Sequence, residues 1–161
     1  MRIRRYRPHD ARHLLDLFRE TVRRVNSRDY DSVQIAAWAS DEINLTVWTS
    51  RFDERFAVVA IDDPSPAGDE RLAGFADMEL DGHLDRLFVS ADHQRRGVGR
   101  MLLEAVVVEA QRLGLVRVFT EASITARPFF AAHEFTTLAE QTVVCRGTAM
   151  TNFRMERRFV G

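Results

Sequence analysis

The chain contains no lysine, and all 23 of its basic residues are arginine. A phosphate loop built around a lysine is therefore excluded. Cys145 is the single cysteine, so no internal disulfide and no cysteine-cluster metal centre can form, and no metal is expected. No apolar run approaches the roughly 18–20 residues of a membrane span, so no membrane partner is expected. The opening residues Met1-Arg2-Ile3-Arg4-Arg5-Tyr6 lack the apolar core of a signal peptide, which makes a cytoplasmic location the expectation. A surplus of either charge is missing too: the formal net charge is −1, which gives bulk electrostatics no hold on a nucleic acid. What remains is a 161-residue chain, 45% hydrophobic and 29% charged, the balance of one globular domain spanning residues 1–161.

Periodicity divides that domain into alternating elements. Ile3 to Arg7 reads as a strand stopped by Pro8, and Asp10 as the N-cap of a helix carrying Leu14, Leu15, Leu17, Phe18, Val22 and Val25. A second helix is expected over Ser32 to Ala39. Strands over Phe56 to Ile61 and Leu72 to Leu80 flank the Pro- and Gly-containing turn Asp62 to Glu70. After Asp81-Gly82 a further strand runs from Leu84 to Val89. The longest helix covers Gly97 to Leu113, with Val98, Leu102, Ala105, Val106 and Ala110 on its apolar face and Gly114 to end it. A strand at Val116 to Thr120, a helix at Arg127 to Ala132, and strands at Thr137 to Cys145 and Ala149 to Phe159 complete a mixed α/β sheet.

The chemistry concentrates in Val89-Ser90-Ala91-Asp92-His93-Gln94-Arg95-Arg96-Gly97-Val98-Gly99-Arg100, which joins a strand to the longest helix. The first turn of a helix leaves N–H groups unpaired and carries partial positive charge. Glycines let that backbone approach an anion, and Arg95, Arg96 and Arg100 add charge, so the stretch suits a pyrophosphate. The same glycines could instead relieve crowding where the helix meets the sheet. A dinucleotide fingerprint is excluded because its third glycine is missing.

Gln94-Arg95-Arg96-Gly97-Val98-Gly99 resembles the Q/R-x-x-G-x-G/A motif of the GNAT acetyltransferase superfamily, and the element order is similar over nearly the whole chain. The resemblance implies a mixed, mostly antiparallel sheet of about seven strands flanked by about four helices. It implies acetyl-CoA as co-substrate, with Leu87, Phe88 and Val89 pairing with its pantetheine arm and Gln94, Arg95, Arg96, Gly97, Val98, Gly99 and Arg100 holding its phosphates. Ser123, Ala126, Phe129 and Phe130 fall where the family often has N-x-x-A-x-x-F-Y. Two positions depart from that pattern. Phe130 stands where a tyrosine often protonates the departing thiolate, and Glu134 replaces the usual glycine before Phe135.

Amine acetylation needs a neutral amine and a donor for the charge that develops on the thioester oxygen. The resemblance points to a strand amide as that donor, and Leu87 is the expected one. His83 and Asp85, two apart on the same strand, are the expected base and its orienter or the amine's counterion; Glu79 and Asp77 are weaker candidates. The resemblance also gives the N-terminal helices to the acceptor, where Tyr30, Gln34 and Trp38 would share a face, unless that face is core packing. Cys145 reads as a strand residue without a catalytic role. A small-molecule amine is the expected acceptor, a protein amine and a homodimer remain open, and a CoA-binding sensor without catalysis is the competing reading.

Overall fold

The computed structural model describes residues 1–62 and 70–160, so most of the turn expected at Asp62 to Glu70 lies outside the described residues. The strands are β1 (Arg2–Arg5), β2 (Phe56–Asp62), β3 (Arg71–Met78), β4 (Leu84–Val89), β5 (Arg117–Ser123), β6 (Thr136–Cys145) and β7 (Thr148–Arg158). The helices are α1 (Ala11–Arg24), α2 (Ser32–Trp38), α3 (Leu45–Ser50), α4 (Val98–Arg112) and α5 (Arg127–Ala132). Both sheets are antiparallel, one ordered β1-β2-β3-β4 and the other β5-β7-β6. None of these helices is long and apolar enough to cross a membrane.

The sequence of β2 explains the layering. Its alternate residues Phe56, Val58 and Ala60 pack with α4, while Ala57, Val59 and Ile61 pack with α1 and α3. A strand buried on both faces reads as a continuous apolar run, and this one does. α1 supplies Leu14, Leu15, Phe18 and Val22 to one layer; α4 supplies Val98, Leu102, Val106 and Ala110 to the other.

Two local expectations are corrected. Asp10 does not cap α1 with its side chain. Its buried carboxylate accepts two hydrogen bonds from Arg4 and one from the Arg7 N–H, so it ties the end of β1 to the start of the helix. The second correction is α3, which the β-branched stretch Leu45-Thr46-Val47-Trp48-Thr49-Ser50 does not announce. The Asn44 side chain caps it by accepting the Val47 N–H, and buried Trp48 anchors it through Nε1–H to the Ala11 carbonyl. Glu134 holds φ +71 at the end of α5, the left-handed geometry that its replacement of glycine implied.

Candidate active site

Among the described residues, the backbones of the two sheets are bonded to each other where β4 and β5 begin. There His83 and Phe119 form a parallel bridge, the Phe119 N–H donates to the Gly82 carbonyl, and the Thr120 hydroxyl donates to the Leu84 carbonyl. Just beyond, the β3–β4 register passes from Asp77–Arg86 to Met78–Leu84, leaving Asp85 without an opposite residue. Such a bulge bends its strand. From there β4 and β5 separate, each an edge of its own sheet, and a cleft of about 640 Å³ opens along both. Edge strands carry unpaired peptide groups. Ser90 donates its N–H to Ala73 on β3, and strand alternation then turns the peptide groups of Leu87 and Val89 toward the cleft. Val89 uses its carbonyl there, accepting from the Thr21 hydroxyl and the Gln94 amide.

At the far end of β4 the chain turns into α4. Gly97 caps the helix at φ +81, a left-handed conformation open to glycine at little cost, and nothing lies within 4 Å of where its Cβ would stand. The amides of Val98, Gly99 and Arg100 open the helix and have no acceptor in a preceding turn. Among the described residues Arg95 and Arg96 have no ion-pair partner, while Arg100 pairs with Glu104 at 3.0 Å. Two free guanidiniums, three amides and open space over Gly97 fit an anion, and the strand edge beside them fits an extended amide chain. Gly99 has a different reason to be glycine: its Cβ would stand 3.0 Å from the Phe129 ring. Gly97 thus has open space beside it, whereas Gly99 relieves crowding against α5.

Of the expected binding residues, Leu87, Phe88, Val89, Gln94, Gly99, Ser123, Phe130, Tyr30 and Trp38 line the cleft. Arg95, Arg96, Gly97 and Arg100 stand outside its lining, at the mouth of α4. The Val98 side chain is buried in the core, so that residue can offer a ligand only its backbone. Gln34 is a second exception: its amide donates to the Ala149 carbonyl and accepts the Asp31 N–H, which makes it a helix cap and not a cleft residue. Trp38 packs edge-on against Phe18, Tyr30 and Phe88 in a continuous aromatic wall. Tyr30 bridges two elements, donating to the Thr151 carbonyl at 2.7 Å and accepting the Ile124 N–H at 2.9 Å. Burial raises its phenol above the ordinary value, opposed by that N–H. Phe130 is buried edge-on between Phe129 and Phe135.

The ionisable groups sort into three sets. Asp77 is wholly buried and bound by Arg86 through two hydrogen bonds and by Arg55 through one, so it is structural. Arg86 in turn lies over the rings of Trp48 and Phe52. Asp85 is on the cleft wall, held by Arg51 and Arg55 at 2.6 Å each. Burial pushes its carboxyl up, but the Arg55 hydrogen bond and the two arginine charges outweigh that and hold it below its ordinary value. His83 does not line the cleft. Its ring stacks on Phe119 with Nε2 2.8 Å from Glu121 and Nδ1 2.7 Å from Glu79. The Glu121 hydrogen bond, opposed by burial and assisted by Glu79, raises its pKa to about 9. A histidine so placed is protonated at neutral pH, and Glu121 stands between it and the cleft. Sequence reasoning missed Glu121, because the expected strand ends at Thr120 and His83 lies 38 residues away.

The acetyltransferase (GNAT) domain family matches residues 26–157. An uncharacterized N-acetyltransferase of Escherichia coli, YafP, is 34% identical over 155 residues, covering 96% of this chain and 94% of the relative. A GCN5-related N-acetyltransferase from Rhodopseudomonas palustris superposes with a TM-score of 0.89 at 26% identity, over 98% of this chain and 95% of that one. The PaiA N-acetyltransferase from Thermoplasma acidophilum, solved in complex with coenzyme A, has the same fold with a TM-score of 0.75 at 16% identity, covering 98% of each chain. With its splayed strands, its glycine–arginine helix entry and these relatives, the chain belongs to the GNAT family of N-acetyltransferases.

Proposed function

We propose that the protein carries acetyl from acetyl-CoA to the amine of a small molecule by direct attack on the thioester. The observation that carries this reading is the pair of unpaired strand edges opening beside an arginine-flanked helix N-terminus. The phosphates would rest on the amides after Gly97 and against Arg95 and Arg96, and the pantetheine amides would run along Leu87 to Val89. The Leu87 N–H would meet the negative charge that develops on the thioester oxygen, a contribution worth about 2.7–4 kcal/mol where such donors have been removed. Ser123, whose hydroxyl accepts the Ala126 N–H, and Phe130 line the cleft and would form the opposite wall near the sulfur. Tyr30 and Trp38 give the acceptor an apolar face, and ionised Asp85 attracts its ammonium.

The thiolate of CoA leaves without a dedicated tyrosine, because a thiol is far more acidic than an alcohol. The competing reading, a CoA-binding sensor, draws on Phe130 alone. Acetyl-CoA turnover against a panel of primary amines decides between them. Thiol release that depends on one amine class supports transfer; tight CoA binding with no release by any amine supports the sensor.

A further inference from the structure

The cleft needs somewhere to send a proton. An aliphatic ammonium with a pKa near 10.4 enters charged at neutral pH and must become a neutral amine before it attacks. Asp85 is a poor recipient, because Arg51 and Arg55 stabilise its ionised form. Asp77 is buried under Arg86. Glu121 is different: it lines the cleft, and both of its carboxylate oxygens lie near His83 Nε2, at 2.8 and 3.1 Å. The other ring nitrogen reaches Glu79 Oε1 at 2.7 Å, and the Glu79 side chain is 44% exposed against 18% for that of His83. Three further contacts hold the residue. It stacks on Phe119 at 5.1 Å, its backbone N–H donates to Asp81, and its carbonyl accepts the Glu79 N–H.

We propose that Glu121, His83 and Glu79 form a relay that takes the acceptor's proton out of the cleft and delivers it to solvent. This rests on the acetyl-transfer reading of the cleft. In molecules whose imidazole is neutral, a fraction that grows as pH rises toward 9, the proton leaves the ammonium nitrogen for a Glu121 oxygen and passes to Nε2. The histidinium so formed gives its Nδ1 proton through Glu79 to water, so one proton enters at the cleft and one leaves at the surface; exchange with water then returns the ring from its Nε2–H to its Nδ1–H tautomer for the next turnover. Glu121 is the catalytic residue, since of the three it alone lines the cleft; His83 and Glu79 act through it. The charged groups around the ring are Glu79 at the end of β3, Asp85 on β4 and Glu121 on β5, with Arg55 3.8 Å from Glu79 and Arg117 over the Phe119 ring. The carboxylates hold the imidazole's affinity for protons close to that of the amine it serves, with its pKa near 9. Near-matched partners transfer protons efficiently.

The test uses the best acceptor from the amine panel and a second acceptor of lower amine pKa, with kcat/KM followed from pH 6 to 10. In the wild type an ionisation near 9 should appear with both acceptors, since it belongs to the protein. Glu121→Gln should lower kcat/KM by about 10²–10⁴-fold while CoA affinity by calorimetry stays within twofold. Glu79→Gln removes one of the carboxylates that favour histidinium, so its ionisation should move to lower pH, a displacement that a merely structural role would not produce. His83→Gln should erase it. Wild-type rates and an unmoved profile in the three variants would overturn the relay and leave the acetyl-transfer reading standing. A wild type that releases no thiol with any amine would instead overturn that reading, and the relay with it.

Discussion

Gly97 and Gly114 bracket α4, and leucine at each position separates an anion cradle from ordinary helix punctuation. Gly97 has φ +81 and Gly114 φ +74, and neither has an atom within 4 Å of its missing Cβ. The strain of a left-handed side chain is therefore the same at both, about 1–2 kcal/mol. At about 2–4 °C per kcal/mol for a chain of this size, each variant should lose about 2–8 °C in Tm. The two sites differ in what lies outside. The space over Gly97 adjoins Arg95, Arg96 and the first amides of α4, whereas Gly114 is 17 residues away, about 25 Å along the helix. Gly97→Leu should weaken CoA binding by calorimetry at least tenfold, about 1.4 kcal/mol, and Gly114→Leu should leave it unchanged. Equal affinity in the two variants, lost or retained, would refute a phosphate site over Gly97, whatever their melting temperatures.

Phe130→Tyr adds a hydroxyl beside the expected position of the sulfur, and kcat should hold or rise modestly; a loss beyond tenfold would mean the apolar wall itself matters. Arg86→Met removes two of the three hydrogen bonds to wholly buried Asp77 and should cost about 3–5 kcal/mol in urea denaturation. Glu134→Gly relieves a left-handed φ of +71 and gives up only an ion pair with Arg157 whose Glu134 side chain is 75% exposed, so Tm should rise by about 2–4 °C. The contacts of His83 with Glu79 and Glu121 raise its pKa from 6.5 to about 9, so their stabilisation is complete below pH 6.5 and fades as pH rises through about 9. His83→Gln should accordingly lower Tm at pH 6 and approach the wild type at pH 10.

The sequence alone determined the elements whose period is strong. α1 and α4 bury apolar residues every three or four positions, and β2 is an uninterrupted apolar run, so local pattern and tertiary burial agree. The entry to α4 was equally legible, because Gly97, Gly99 and the arginines act within one turn of each other. Only the tertiary structure decided the geometry of the cleft. The unpaired residue at Asp85 bends β4 away from β5, and nothing in Leu84-Asp85-Arg86 marks it. Arg51 and Arg55, more than 29 residues from Asp85 in sequence, neutralise it as a base. Glu121 meets His83 across 38 residues, through strands bridged near their start. Helix caps and apolar faces are written in neighbouring residues; an ion pair between distant strands depends on register and splay, which no local spacing encodes.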